Sequence, residues 1–201
     1  MKRLLFITFL LMATSSFTSI FAGNWTLGLT PVGGQSLKLS FDDPKEIFTY
    51  NFRTTVGISI AVESIFQNGI IEFSHYRGIL TSSSHEGDKL YMKNEDDHIR
   101  VTSFMRYWGK VFNDGKRIQF PIYAGAGVGN IKSGNVHTLS LEVGAKGGAK
   151  FYVSNTVGVF SNAGFHAGFA GEKYNAETYG DLSSSISRRD FYVELGVAVD
   201  F

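Results

Sequence analysis

The sequence predicts an all-β fold, an eight-stranded antiparallel up-and-down transmembrane β-barrel with an apolar exterior and a polar packed lumen. Three observations predict it. The last fourteen residues, Arg188 to Phe201, read RRDFYVELGVAVDF, and in them Phe191, Val193, Leu195, Val197, Val199 and Phe201 alternate with polar or small residues. That is the period of a strand with one continuous apolar face. The chain beyond residue 22 divides into further segments of the same kind, each long enough for a tilted membrane strand, which needs about 9–11 residues. The first 22 residues read as an export signal, outside the fold.

The start of the chain sets the compartment. Lys2 and Arg3 form a positive region, Leu4 to Met12 a short apolar core, and a Ser/Thr-rich stretch leads to Ala22. This is the pattern of a secretory signal peptide at 1–22, cleaved before Gly23, with 23–201 as the barrel domain. The apolar run is too short for a spanning helix, which takes roughly 20 apolar residues. The chain has no Cys, so disulfides, thiolate metal sites and a Cys nucleophile are excluded. Loss of the signal removes two of 19 basic residues and none of the 18 acidic ones, leaving a net charge near −1. Nucleic-acid binding, which calls for a basic domain, is not expected.

Eight strands are expected, at roughly 24–41, 46–63, 69–80, 97–112, 117–130, 138–153, 156–170 and 188–201. The first contains Pro31 and Gly33-Gly34, which suggest a bend. The second presents Phe48, Tyr50, Phe52, Val56, Ile58, Ile60 and Val62 on one side, with Asn51, Arg53, Ser59 and Glu63 on the other. The third, IIEFSHYRGIL, keeps no single parity, and a bulge near His75–Tyr76 would shift its phase. The fourth sets Ile99, Val101, Met105, Tyr107 and Val111 against Arg100, Thr102, Phe104, Arg106, Trp108 and Lys110. The fifth sets Ile118, Phe120, Ile122, Ala124, Ala126 and Val128 against Arg117, Gln119 and Tyr123. The sixth sets Leu139, Leu141, Val143, Ala145 and Phe151 against Ser140, Glu142, Lys146 and Lys150. The seventh sets Val157, Val159, Phe165 and Phe169 against Asn162, Gly164 and His166.

The links alternate in length. Gln67-Asn68-Gly69, Asn113 to Lys116 and Ser154-Asn155 are short, and Asn-Gly and Asp-Gly favour hairpin turns because both central residues accept positive φ. Thr81 to Asp96 and Gly171 to Ser187 are longer and polar, while Asp42 to Lys45 is short. The terminal strand, with Phe201 last and Val197 and Val199 before it at every second place, resembles the assembly signal of bacterial outer-membrane barrels. The whole mature chain resembles the small OmpA/OmpX-like β-barrel superfamily.

That resemblance implies residence in the outer membrane of a Gram-negative bacterium, with both termini and the short turns on the periplasmic side. It implies outer-membrane lipids, lipopolysaccharide and the barrel-assembly machinery as partners, and an extracellular ligand contacted through loops 81–96 and 171–187. Envelope stability, adhesion or small-solute passage are the functions it implies. The resemblance brings no catalytic motif and no functional residue. No periplasmic peptidoglycan-binding domain is expected, because the sequence ends on the barrel strand.

Given that setting, the apolar faces should point outward into lipid. Trp25, Phe48, Tyr50, Phe120, Phe151, Phe169, Phe191 and Phe201 are expected in aromatic girdles near strand ends. An eight-strand interior is filled by side chains. A lumenal charge network is therefore expected from Arg53, Glu63, Arg106, Glu142, Lys146 and Glu194, with Glu72, Arg100, Lys110, Arg117, Lys150 and Asp190 also inward. Glycines 125, 127, 144, 164 and 196 would make room for Phe104, Trp108, Tyr123 and Phe160. The network is expected to plug the barrel; a gate that passes small ions is the alternative.

No cofactor or metal is expected, since none of the five His forms a metal-ligand spacing. Gly125-Ala-Gly127-Val-Gly129 lacks the helix and Lys-Ser/Thr of a phosphate loop. A lipid A-modifying enzyme would need a Ser and a His within hydrogen-bond reach. Ser74 and His75 are adjacent and point to opposite faces of a regular strand, so no catalytic residue is assigned.

Overall fold

The alternation along these segments folds into β-strands because each strand meets a different solvent on each face. The computed structural model describes residues 24–42, 45–64, 69–90, 98–133, 136–176 and 180–200. The signal segment 1–22 and Phe201 lie outside the described residues. The strands are β1 (Trp25–Asp42), β2 (Lys45–Ser64), β3 (Gly69–His85), β4 (Asp88–Leu90), β5 (His98–Phe112), β6 (Ile118–Ser133), β7 (Val136–Tyr152), β8 (Val157–Ala176) and β9 (Gly180–Val199). Neighbouring strands pair antiparallel in the order β2-β1-β9-β8-β7-β6-β5-β3, and the β2–β3 pairing completes the ring. β4 pairs with β3, on which it folds back through a turn at Glu86-Gly87 with φ of 51° and 98°. The barrel is thus eight antiparallel up-and-down strands in a closed cylinder, which leaves no unpaired edge.

Both described chain ends lie at one end of the barrel, called the lower end: Trp25 pairs with Val199, and Asp200 donates to the Thr156 carbonyl. The β5–β6 turn lies there too, with Asn113 at φ 57° and Gly115 at φ 73°, so Gly115 occupies a left-handed position that other residues resist. At the upper end the strands run further than their composition suggests. Segment 81–96 was expected as a loop, yet β3 continues to His85 and pairs with β4; residues 91–96 lie outside the described residues. Segment 171–187 was also expected as a loop, yet β8 and β9 stay paired up to Ala176 opposite Gly180. Both read as loops because these hairpin ends lack the apolar alternation that lipid imposes lower down.

Three irregularities re-aim the strands. β1 carries one extra residue between Leu29 and Val32 against β9, at Pro31, which has no N–H to give the ladder. β2 carries an extra Thr55 against β3, and its Oγ1 donates to the Arg77 carbonyl at 3.1 Å. β3 carries an extra Thr81, whose Oγ1 donates to the Asn51 carbonyl at 2.9 Å. The phase shift expected near His75–Tyr76 is absent there: Ile70, Glu72, Ser74, Tyr76 and Gly78 keep one parity and all face inward.

An apolar belt surrounds the lower and middle barrel. Leu141 is 71% exposed, Phe191 70% and Val197 43%, so the expected outward face holds on β6, β7, β8 and β9. Phe120, Phe151, Phe169 and Phe191 lie on it. Phe48 and Tyr50 do not. Above the Thr55 bulge the even residues of β2 turn inward, so Tyr50 packs on the upper lumenal cluster and Phe48 stacks on His85 at 4.4 Å.

β5 is inverted relative to expectation. Ile99, Val101, Met105 and Tyr107 are fully buried in the lumen, while Arg100, Phe104, Trp108 and Lys110 are exposed outside. The cause lies on β6. A Cβ at Gly125 would meet the Tyr107 ring at 2.7 Å, and one at Gly127 would meet the Met105 sulfur at 2.8 Å. The glycines expected to house Phe104 and Trp108 house Tyr107 and Met105 instead. Gly196 does receive the Phe160 ring, and Gly109 the Tyr123 ring.

Candidate functional site

The lumen holds the chain's concentrated chemistry, arranged in three ionic layers. The lowest is set by β2, β6 and β7. Tyr123 donates its hydroxyl to Glu63, and Lys150 Nζ lies 2.8 Å from Glu63 Oε2. In the middle layer Lys146 on β7 donates to Glu72 on β3 and stands 3.9 Å from Glu194 on β9. Ser59 donates to Glu194, and Asn162 Nδ2 donates to it at 3.1 Å. Lys146 also sits over the Tyr107 ring at 5.2 Å, a cation–π contact strengthened by burial.

The upper ionic layer is centred on Arg188, which is fully buried. Its Nη2 is 2.9 Å from Glu142 Oε1 and its Nε 2.8 Å from Asp190 Oδ2. Both are close, fully buried ion pairs. Ser140 donates to Glu142 at 3.2 Å. Beside this layer the hydroxyls of Tyr107 and Tyr192 converge on His166 Nε2, the latter at 3.3 Å. Above it the lumen becomes apolar: Leu37, Phe52, Tyr76, Ile99, Val101, Ile131 and Ile186 form one buried cluster.

Of the residues expected in the network, Glu63, Glu142, Lys146 and Glu194 meet lumenal partners, as do Glu72, Lys150 and Asp190. Arg53 and Arg106 face outward instead. Arg53 is exposed on the outer wall, because the Thr55 bulge reverses the phase of β2 above it. Arg106 faces outward on the inverted β5, its guanidinium 6.0 Å from the Trp108 ring. Arg100 and Lys110 likewise face outward, and Arg117 is exposed at the lower turn. A base on the lipid-facing wall costs about 2–4 kcal/mol at the midplane and less toward the edges, and cation–π contact and snorkelling reduce it. Lys110, 5.4 Å from the Phe112 ring, follows the same device at the lower edge.

Arg188 was missed. It precedes Asp190 and Glu194 at even spacing on the same strand, and that parity could have placed it inside. Ser74 is buried in the lumen, whereas His75 faces out and bonds Thr102 Oγ1 at 2.9 Å. The void beside Glu63, Tyr123, Lys146 and Lys150 measures about 10 Å³, room for about one water. The described lumen is packed, and its charges are paired across strands far apart in sequence.

No protein-family model matches the chain, and no curated protein matches it. Solved structures do. The outer membrane protease OmpT of Escherichia coli superposes with a TM-score of 0.50 at 9% identity, over 91% of this chain and 98% of that one. The outer membrane protein OprG of Pseudomonas aeruginosa gives 0.49 at 12% identity, over 90% and 96%. Neisserial surface protein A gives 0.43 at 13% identity, over 88% and 97%. At these identities the likeness is one of fold: the chain has the architecture of the outer-membrane β-barrels. The apolar belt agrees with it, because a closed antiparallel cylinder with apolar residues outside and ion pairs inside is built for lipid.

Proposed function

We propose that the chain is an outer-membrane barrel of a Gram-negative bacterium, exported through residues 1–22. In this reading its lumen is a structural plug, and its role is structural or surface-interacting, through the segments 81–96 and 171–187. The observation that supports it best is the closed lumen: three ionic layers bridge the walls, and an apolar cluster packs above them. A barrel so filled offers its partners the rim and the outer wall. The assembly role of Val197, Val199 and Phe201 belongs to the same proposal. The test shortens both hairpins while keeping the barrel, and reads envelope integrity and surface attachment in cells. Loss of either with normal membrane insertion is expected; full retention of both overturns the role.

One observation favours a second reading, a narrow ion path. The ionic layers are stacked along the barrel axis, each built on a lysine or arginine paired with a carboxylate. Planar-bilayer recording separates the two readings. The plug predicts a silent wild type. The path predicts discrete conductance altered by Glu142→Gln or Lys146→Met. The proteolytic activity named for OmpT belongs to that protein; a lipid A-modifying activity here would show as a mass change in lipid A on expression.

A further inference from the structure

The apolar belt carries a notch and a knob. Ala149 on β7, Ser161 on β8 and Gly196 on β9 form the floor of the notch, and Phe151, Val159 and Leu195 stand around it. Its volume is about 540 Å³; a cavity of about 150 Å³ already holds a benzene ring. The knob is Trp108 on β5, 54% exposed, beside the small Ala124 of β6. The two lie at one height. Followed once around the ring from Trp108, through Ala124, Ala145, Phe165 and Phe191, the register returns to β5 at His98, ten residues higher. Each step to the next strand thus climbs about 1.25 residues. The level of Trp108 therefore falls about four residues below Phe165 on β8, at Ser161, and about five below Phe191 on β9, at Gly196.

That height is inside the lipid. Trp108 stands four residues above Phe112, the lower end of β5, about 10 Å along the axis once strand tilt is allowed for. Among the described residues neither the Trp108 indole N–H nor the Ser161 hydroxyl has a hydrogen-bond partner, and at this depth neither meets water. A donor and an acceptor are thus left unpaired at the same level, each at a cost in free energy. We infer that the barrel associates head to tail with a second copy of itself, Trp108 of one copy seated in the notch of the next and its Nε1–H donating to Ser161 Oγ. The contact rests on the membrane orientation proposed above. An acyl chain fills an apolar notch but pairs neither polar group. Between surfaces already in lipid, close packing at small residues and polar pairing drive association. β5 and β8 stand three strands apart on a ring of eight, too far around for two copies to exchange both contacts. The interface is therefore heterologous, and each pair keeps one knob and one notch for further copies.

The chain has no Cys, so single-cysteine variants report the contact directly. Lys110→Cys lies two residues below Trp108, and Val159→Cys two residues below Ser161, both on the outer wall. The two mature chains are folded together into phosphatidylcholine vesicles and oxidised with a lipid-permeant catalyst. Folding is read by boiled and unboiled gel mobility. The mixed disulfide is expected to exceed either homotypic one by about fivefold or more. Added to the Lys110→Cys chain, Trp108→Ala removes the knob; added to the Val159→Cys chain, Ser161→Phe fills the notch. Each should lower the mixed product to the homotypic level. Trp108→Phe and Ser161→Ala keep the shape and lose the hydrogen bond, and each should lower the product about threefold.

Equal mixed and homotypic yields overturn the contact, since chance collision explains them and lipid then fills the notch. A dominant Lys110→Cys homodimer overturns it in favour of a two-fold contact. A mixed product that survives Trp108→Ala overturns it as well, whether or not Ser161→Phe folds. A wild type with no heat-modifiable band in vesicles strikes the membrane reading, and this contact with it.

Discussion

The lower and upper parts of this barrel differ in where they put charge, although both bury apolar side chains, the lower one Ile70, Met105 and Tyr107. In the lower and middle barrel Leu141, Leu195 and Val197 face out, and Glu72, Glu142, Lys146 and Glu194 face in. In the upper barrel Leu37, Phe52, Ile99, Val101 and Ile131 face in, and Arg53, Arg100 and Lys132 face out. The difference lies in the outer solvent. Against lipid, an apolar side chain gains nothing from burial, and a charge is sheltered only inside, with a partner. Against water, the hydrophobic effect returns and drives apolar side chains to the axis, as in a soluble barrel. One cylinder thus changes from a membrane protein to a water-soluble one along its length.

The sharpest way to break this comparison is at the ionic core of the lower part. Lys146→Met leaves Glu72 and Glu194 buried without their cation. Removing one partner of a buried pair costs about 3–5 kcal/mol. Reversible urea unfolding in lipid vesicles should show that loss, and Glu72→Gln added to Lys146→Met should restore part of it. A loss below about 1 kcal/mol would mean that water, not Lys146, satisfies these carboxylates.

The outer wall gives the next effect. Leu141→Arg places a base on the belt and should cost about 2–4 kcal/mol if its site is near the midplane. Lys132→Leu, on the same wall above the belt, should change stability by about 0.5 kcal/mol or less in phosphatidylcholine. Equal losses at the two positions would erase the boundary drawn between them.

Much of this was legible in the sequence. β6 to β9 alternate so cleanly that their faces follow from Ile118 to Val128, Leu139 to Phe151 and Phe191 to Val197. The lumenal set Glu142, Lys146 and Glu194 follows with them. β5 was not legible, because both its faces carry aromatic or aliphatic residues, and only the glycines at 125 and 127 on the neighbouring strand reveal which side has room. β2 was half legible. Its parity is right below Thr55 and wrong above it, since a one-residue bulge reverses every later side chain, and Thr-Thr at 54–55 carries no strong bulge signature. Polarity alone also misled, because the rule that apolar faces point outward expires where the lipid ends.

The upper lumen supplies a smaller effect. Ile99→Val removes one methyl group from the buried cluster with Val101 and Ile131. It should cost about 0.5–1.5 kcal/mol, while the same trimming at Ile122, 58% exposed on the belt, should be close to neutral because lipid refills the space. Unfolding of the two variants in the same vesicles makes the comparison.

The smallest effect is the most diagnostic, because it separates the two registers of β2. If Arg53 were lumenal, Arg53→Gln would remove a buried cation and cost several kcal/mol. The Thr55 bulge puts it on the outer wall opposite Gly34, where it is exposed. Its loss should then fall within about 0.5 kcal/mol of the wild type. Deleting Thr55 should leave that value unchanged, because without the extra residue Arg53 stands five residues from Ser59 and keeps its outward face, with Phe52 inward. A cost of several kcal/mol for Arg53→Gln in either background would place Arg53 in the lumen and refute the reversal of polarity on β2.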